Sequence, residues 1–190
     1  KTPNIDALAA QGVRMTAGYV TAPQCSPSRA GLIRGRYQQK FGLDSIADDP
    51  MPLEERTIPK RLKEAGYVSG QVGKWHLDPN ATSVKWAHKN LPELIPGKDG
   101  RVAIPGQSIR QFSPLAQGFD ECFQGEEHRY FATYDCDGKT LDPHGTMIDQ
   151  PGYRLETQTA AALAFLKRHH DQPFFLYLAY YGPHVPLEAT

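Results

Sequence analysis

The run Phe174-Phe175-Leu176-Tyr177-Leu178-Ala179-Tyr180-Tyr181 limits the folds open to this chain more than any other stretch. It is near-continuously apolar and aromatic, without the polar alternation of a half-solvated strand. Such a run reads as a strand buried on both faces of a parallel sheet. Directly before it, Arg154 to His170 reads as a helix with Leu155, Ala162, Leu163 and Leu166 on one face. Lys167, Arg168, His169 and His170 suit the negative end of its dipole. A helix feeding an apolar strand argues for an α/β fold, with a mostly parallel sheet flanked by helices.

The earlier chain fits that scheme. Thr2 to Gly12 predicts a short helix, with Thr2 as cap, Pro3 in the first turn, Gly12 as stop, and Ile5, Leu8 and Ala9 as its apolar face. Val13 to Val20 predicts a strand, and Thr21 to Gln24 a loop. Pro27 opens a second helix that runs toward Gly35. Thr57 to Ala65 predicts a third helix, capped by Thr57 and stopped by Gly66, and Tyr67 to Gly73 a further strand. Residues 78–153 are rich in Pro, Gly, Asp and Asn. They read as long loops with short unread elements, a place for substrate-specific decoration.

Composition narrows the function. Twenty-one basic residues balance 21 acidic ones, so nothing marks a nucleic-acid surface or a polybasic membrane patch. No apolar run is long enough to span a bilayer. Hydrophobic residues are 39% and charged residues 22%, which fits one domain with its own core over residues 1–190. Cys25, Cys122 and Cys136 are too few for a disulfide scaffold. Cys122 and Cys136 can pair in an oxidising compartment or stay free thiols.

Each of the three expected strands is followed by a chemically active group: Cys25 after the first, Lys74 and His76 after the second, His184 after the third. Ligands of open α/β sheets bind beyond the carboxyl ends of the strands. Parallel neighbours would therefore turn these four groups toward one crevice. Lys74 and His76 lie two apart, on one side of extended chain, with Cα atoms roughly 6.6 Å apart. Pro183 and Pro186 stiffen the backbone around His184. Cys25 precedes a helix start and lies four residues before Arg29, both of which favour a thiolate and an anion.

Bland readings compete with each of these. A lone cysteine is often a small buried hydrophobe, and His184 alone reads as a turn histidine. Lys74 beside His76 is a common strand-end pair. His169 and His170, and Cys122 near His128, lack metal-ligand spacing, and the two helix-end histidines read as solvated. Cys25 and Arg29 stand too close together for the usual phosphate loop of a cysteine phosphatase. No Cys-x-x-Cys marks a redox enzyme.

Taken together, Cys25-Ser26-Pro27-Ser28-Arg29, followed by Leu32 and by Gly35-Arg36, resembles the signature of the type I sulfatases. Arg34 stands where that family more often has Thr. Gly73-Lys74-Trp75-His76-Leu77 resembles the family's second motif and Pro183-His184-Val185-Pro186 its third. Thr2-Pro3-Asn4-Ile5-Asp6 and Gly118-Phe119-Asp120 are similar to further landmarks. The resemblance implies an alkaline-phosphatase-like fold, incomplete here, and residues 1–190 as part of a sulfatase catalytic domain.

It also implies a chemistry. Cys25 would be oxidised to formylglycine by a formylglycine-generating enzyme, and the hydrated aldehyde would attack the sulfur of a sulfate ester. Arg29 would stabilise that group and His76 would take a proton as sulfate leaves. Lys74 and His184 would bind sulfate oxygens, one of them protonating the leaving group. A Ca²⁺, with Cys25 as formylglycine among its ligands, would polarise the sulfate. The family's other calcium ligands would lie ahead of residue 1 and beyond Thr190. The piece alone is therefore expected to bind calcium poorly and turn over little. The substrate would be a sulfated small molecule or glycan, a sugar sulfate before an aryl sulfate. The setting implied is secreted or periplasmic, or lysosomal in an animal. The competing reading is a non-catalytic relative that binds sulfated glycans, with Cys25 left as a thiol.

Overall fold

The computed structural model, which describes residues 1–187, orders the chain as α1 (Pro3–Gln11), α2 (Cys25–Arg34), α3 (Ile58–Glu64), β1 (Val68–Gly73), α4 (Val84–Asn90), α5 (Gly106–Arg110), β2 (Glu121–Gly125), β3 (Arg129–Ala132), β4 (Thr146–Asp149), α6 (Arg154–His169) and β5 (Phe174–Ala179). The five strands form one mixed sheet in the order β4-β3-β2-β1-β5. Strand β1 pairs parallel with β2 and with β5, and β3 runs antiparallel to both β2 and β4. All strands except β3 therefore point the same way.

Two cores hold the sheet. On one face α6 brings Phe165 and Ala161 onto Val72, Phe123, Tyr130 and Tyr134. The approach is close because β1 offers Gly70: a Cβ there would sit 2.5 Å from the Phe165 ring. Phe165 is fully buried, and its loss to Ala would cost about 3–5 kcal/mol. A second core gathers Ala30 and Ile33 of α2 with Trp75, Leu77, Met51 and Phe119. Phe175 and Tyr177 of β5 pack against it, while Leu176 and Leu178 face the α6 core. The period-2 alternation of a strand thus splits the apolar run between two layers.

Helix starts follow the sequence cues. Thr57 caps α3, its hydroxyl accepting from the Lys60 N–H at 3.4 Å, and Gly66 stops the helix in a left-handed conformation. Strand β1 and helix α6 form within a residue or two of their expected bounds. The elements expected in residues 78–153 are α4, α5 and β2 to β4.

Other expectations are corrected. Val13 to Val20 forms no strand; Val13, Met15, Tyr19 and Val20 are 74–90% exposed. β-prone residues make a strand only where another strand offers a ladder, and among the described residues none pairs with them. Ile5 and Leu8 of α1 are likewise exposed, and Thr2 makes no capping bond to that helix's backbone. Strand β5 is not buried on both faces: it lies at the sheet edge, mostly half-buried, because among the described residues only β1 pairs with it. On α6 the buried set is Arg154, Thr157, Gln158, Ala161, Ala162, Ala164 and Phe165, whereas Leu163 is exposed. The helix turns toward Gly70 the side that bears Phe165.

His169 is not solvated; its Nε2 lies 3.1 Å from Glu121 Oε1, and Arg168 grips the same carboxylate at 2.7 and 2.6 Å. Cys122 and Cys136 are free thiols. No helix of the described residues is long and apolar enough to cross a membrane.

Candidate active site

The parallel register aligns three strand ends. Gly73 of β1 stands opposite Gln124 of β2 on one side and Ala179 of β5 on the other. The segments leaving these positions therefore emerge along one edge of the sheet. Gly73 has φ +90°, and a Cβ on it would meet the Ala179 carbonyl oxygen at 2.3 Å. No side chain fits there. The tight passage lets the Lys74 N–H donate to that carbonyl at 2.8 Å and turns the chain into the site.

Cys25 enters as the first residue of α2 rather than at a strand end. Ala30 and Ile33 anchor α2 in the second core. Gly35, at φ +68°, closes the helix with its N–H on the Gly31 carbonyl. Half-buried Cys25 then places Sγ 3.1 Å from His76 Nδ1. His76 has φ +59°, the only non-glycine residue with positive φ among those described. Such backbone is costly for a side-chain-bearing residue, and its cost is met here by the fixed loop on both sides.

Arg29, one turn along α2, crosses to the same edge. Its Nη1 donates to the Lys74 carbonyl at 2.8 Å and to the Tyr177 hydroxyl at 3.1 Å. One guanidinium thus ties α2 to the β1 loop and to β5. Lys74 is buried, with Nζ 5.0 Å from the centre of the Tyr181 ring. Burial lowers its pKa; the Cys25 group opposes that shift, Arg29 adds to it, and Glu126 opposes it. Burial also drives His76 down to about 4, and the charges of Lys74, Arg29 and His184 push the same way. The imidazole beside Cys25 is therefore neutral at ordinary pH.

His184 is exposed, its ring edge-on to Tyr181 at 5.8 Å and its Nδ1 2.7 Å from the Val185 carbonyl. Its backbone N–H donates to the Tyr181 carbonyl. Cys25, Arg29, Lys74 and His76 are thus joined by direct contacts or by charge, and His184 reaches the group through Tyr181. Arg34, by contrast, turns away to pair with Glu55. A guanidinium and a buried ammonium around a neutral imidazole suit a doubly charged tetrahedral anion.

The sequence left three participants unread. Tyr177 and Tyr181 lie inside the apolar run and look like core, yet one holds Arg29 and the other faces Lys74. Arg154, the first residue of α6, is buried and donates through Nη2 to the carbonyls of His184 and Pro186. Its guanidinium also lies 5.7 Å from the Tyr181 ring centre. No local signal marked Arg154, which opens a helix of mixed polarity and meets His184 only through the fold.

For a bound metal the fit is poor. Among the described residues no group of three or more His, Cys, Asp or Glu stands where it could hold an ion. Cys25 has an imidazole and cations as neighbours, whereas calcium needs about six to eight oxygens.

Against known proteins, the Sulfatase family model matches residues 1–190. The chain is similar to the uncharacterized sulfatase YdeN of Escherichia coli K12, at 34% identity over 189 residues, 97% of this chain and 32% of that protein. It is similar also to N-acetylgalactosamine-6-sulfatase of Homo sapiens, at 33% identity over 220 residues, 100% of this chain and 36% of that protein. Among solved structures it superposes on Ps i-CgsB in complex with k-i-k-neocarrahexaose, with a TM-score of 0.64 and 29% identity, covering 100% of this chain and 41% of that one. The chain spans about a third of the length of the two relatives (32% and 36%).

Proposed function

The chain belongs to the sulfatase family and shares its alkaline-phosphatase-like fold, and from that premise we propose that the protein carrying it hydrolyses an organic sulfate ester at Cys25. Water and the ester give an alcohol and inorganic sulfate. The observation that carries this reading is the 3.1 Å contact between Cys25 Sγ and His76 Nδ1, beside Arg29 and buried Lys74.

A formylglycine made from Cys25 fits this setting. The side chain is half-buried rather than sealed, and an imidazole, a guanidinium and an ammonium surround it. When present, that group would supply a hydrated aldehyde oxygen as nucleophile toward sulfur. Arg29, fixed by the Lys74 carbonyl and the Tyr177 hydroxyl, stabilises negative charge at position 25. Neutral His76 accepts a proton at Nδ1. Lys74 and His184 bind sulfate oxygens from the Tyr181 side, and one of them protonates the departing alcohol. The described residues hold no cluster of three ligating side chains for calcium, and the roles above need none.

A sugar sulfate is the favoured substrate. The name of the human relative and the oligosaccharide in the i-CgsB complex support that choice. A formylglycine-generating enzyme would act on Cys25 before turnover, and a secreted, periplasmic or lysosomal setting follows from the same family reading.

The test uses the full-length protein. Mass spectrometry of the tryptic peptide spanning residues 15–29 reports whether Cys25 has lost mass to an aldehyde. A panel of sulfated sugars and one aryl sulfate then reports turnover. Conversion with release of sulfate is expected. An unmodified thiol from a host able to convert it, with no release, would transfer the case to the glycan-binding reading.

A further inference from the structure

A second cavity of about 360 Å³ opens beside the site, lined by Asp78, Arg110, Ser113, Gln124, Arg129 and Phe131 among others. Its volume lies within the range of about 300–1,000 Å³ that small-molecule sites occupy. It begins one strand over from the loop that carries Lys74 and His76, because Gln124 stands opposite Gly73. Asp78 also shares with His76 and Ser26 a slot of about 10 Å³, roughly one water in size. Asp78 therefore borders both the cavity and the surroundings of His76.

Its polar groups are segregated. At the inner end Gln124 Nε2 donates to Asp78 Oδ2 at 2.9 Å, which fixes the carboxyl. Burial pushes Asp78 up to about 6 despite that bond. A carboxyl in that range accepts from a hydroxyl when charged and donates to one when neutral. When charged, the carboxyl repels an anion at this end and accepts from hydroxyls instead. At the outer end stand the exposed guanidiniums of Arg110 and Arg129. Arg129 makes a 3.5 Å pair with exposed Asp149, of the weak kind that an incoming anion displaces. Phe131 and Met147 supply an apolar wall between the two ends.

We propose that this cavity is a saccharide subsite in which Asp78 and Gln124 hold unsulfated hydroxyls and Arg110 with Arg129 hold a second anionic group farther out. The proposal rests on the sulfate-ester reading and sharpens it. The substrate is a polyanionic oligosaccharide whose charges are spaced, with free hydroxyls next to the reacting sulfate.

Equilibrium binding tests it independently of turnover. The protein is the full-length chain with Cys25→Ser. One probe is a monosulfated disaccharide bearing a uronate carboxylate, and the other is the same sugar with that carboxyl reduced to an alcohol. The carboxylate probe is expected to bind about tenfold tighter, as loss of a charged hydrogen bond implies. Replacing both arginines, Arg110→Ala with Arg129→Ala, should make the two affinities equal. Asp78→Asn should weaken both probes to a similar degree. A preference that survives the arginine changes, equal affinities at the outset, or no binding of either probe overturns the subsite. If Asp78→Asn does not fold, the arginine variant decides alone, since both arginines are exposed. Turnover without the carboxylate preference removes only the subsite; the preference without turnover of any sulfate ester removes only the sulfatase reading.

Discussion

The Nδ1 of His76 and the Sγ of Cys25 meet at 3.1 Å although 51 positions separate them in the chain. The contact needs a left-handed His76 and a helix that begins at Cys25 itself. It joins two segments that are also tied by the Arg29 bond to the Lys74 carbonyl and by the packing of Ala30 and Ile33 on Trp75 and Leu77. The chemistry of the site follows from the protonation state of that imidazole.

His76 is expected to stay neutral well below the usual histidine range. Burial first, then its neighbours Lys74, Arg29 and His184, bring it from 6.5 to about 4. Between those values the unfolded chain binds a proton that the folded one does not. The residue's contribution to stability is therefore greatest above pH 6.5 and declines as pH falls toward 4. NMR of labelled histidine should show no titration of His76 between pH 5.5 and 8. An inflection near 6.5 would mean that the ring is solvated.

Arg154 should matter for catalysis without touching the reacting atoms. Buried and bonded to the His184 and Pro186 carbonyls, it aims the loop that carries His184. Arg154→Ala is expected to cost about 2–3 kcal/mol of stability, as charged hydrogen bonds are lost. It should also lower kcat about tenfold or more in the full-length protein, through loss of positioning. Arg154→Lys should recover part of both. Loss of stability with kcat intact would reduce Arg154 to a structural role.

Asp120 ties α3 to β1 and should be a weak point in acid. Burial alone would raise its pKa. The bonds from Lys63 at 2.7 Å, and from the Ser69 N–H and hydroxyl at 2.9 Å each, outweigh burial and hold the carboxyl below its ordinary 3.8. Its contribution is then complete above 3.8 and is lost as pH falls through the lower folded value. Asp120→Asn should cost about 1–2 kcal/mol at pH 7 and much less near pH 2. Denaturant midpoints at the two pH values give the comparison, and an equal cost at both would refute the assignment.

The 190-residue chain by itself should not bind calcium tightly. Its described residues offer no cluster of three ligating side chains. Calorimetric titration with CaCl₂ is expected to give no one-to-one saturation in the micromolar range, roughly where rigid oxygen-rich sites bind. Tight stoichiometric binding would show that the ligands lie within these residues after all.

What could be read from letters alone was governed by local signals. Helix α6 and strand β1 announce themselves through apolar period and flanking stops, and Thr57 through its place before Ile58-Pro59. Cys25, Arg29, Lys74, His76 and His184 stood out because each breaks a regular element or follows one. Val13 to Val20 misled because β-rich composition says nothing about whether a partner strand is at hand. Strands β3 and β4, four residues each, are too short to show a period and exist through pairing with β2 and with each other. Asp78 and Arg154 escaped notice for a related reason. A charge in a loop or in a first helical turn looks solvated until packing buries it.

The exposed side chains of Val13, Met15, Tyr19 and Val20 carry a practical consequence. Tyr19 and Val20 border a cavity of about 470 Å³ together with Leu32 and Tyr37, also exposed. So broad a greasy flank draws identical molecules together. Preparations of the isolated polypeptide will scatter light more strongly as they are concentrated, and work on it belongs at high dilution or behind a solubilising fusion.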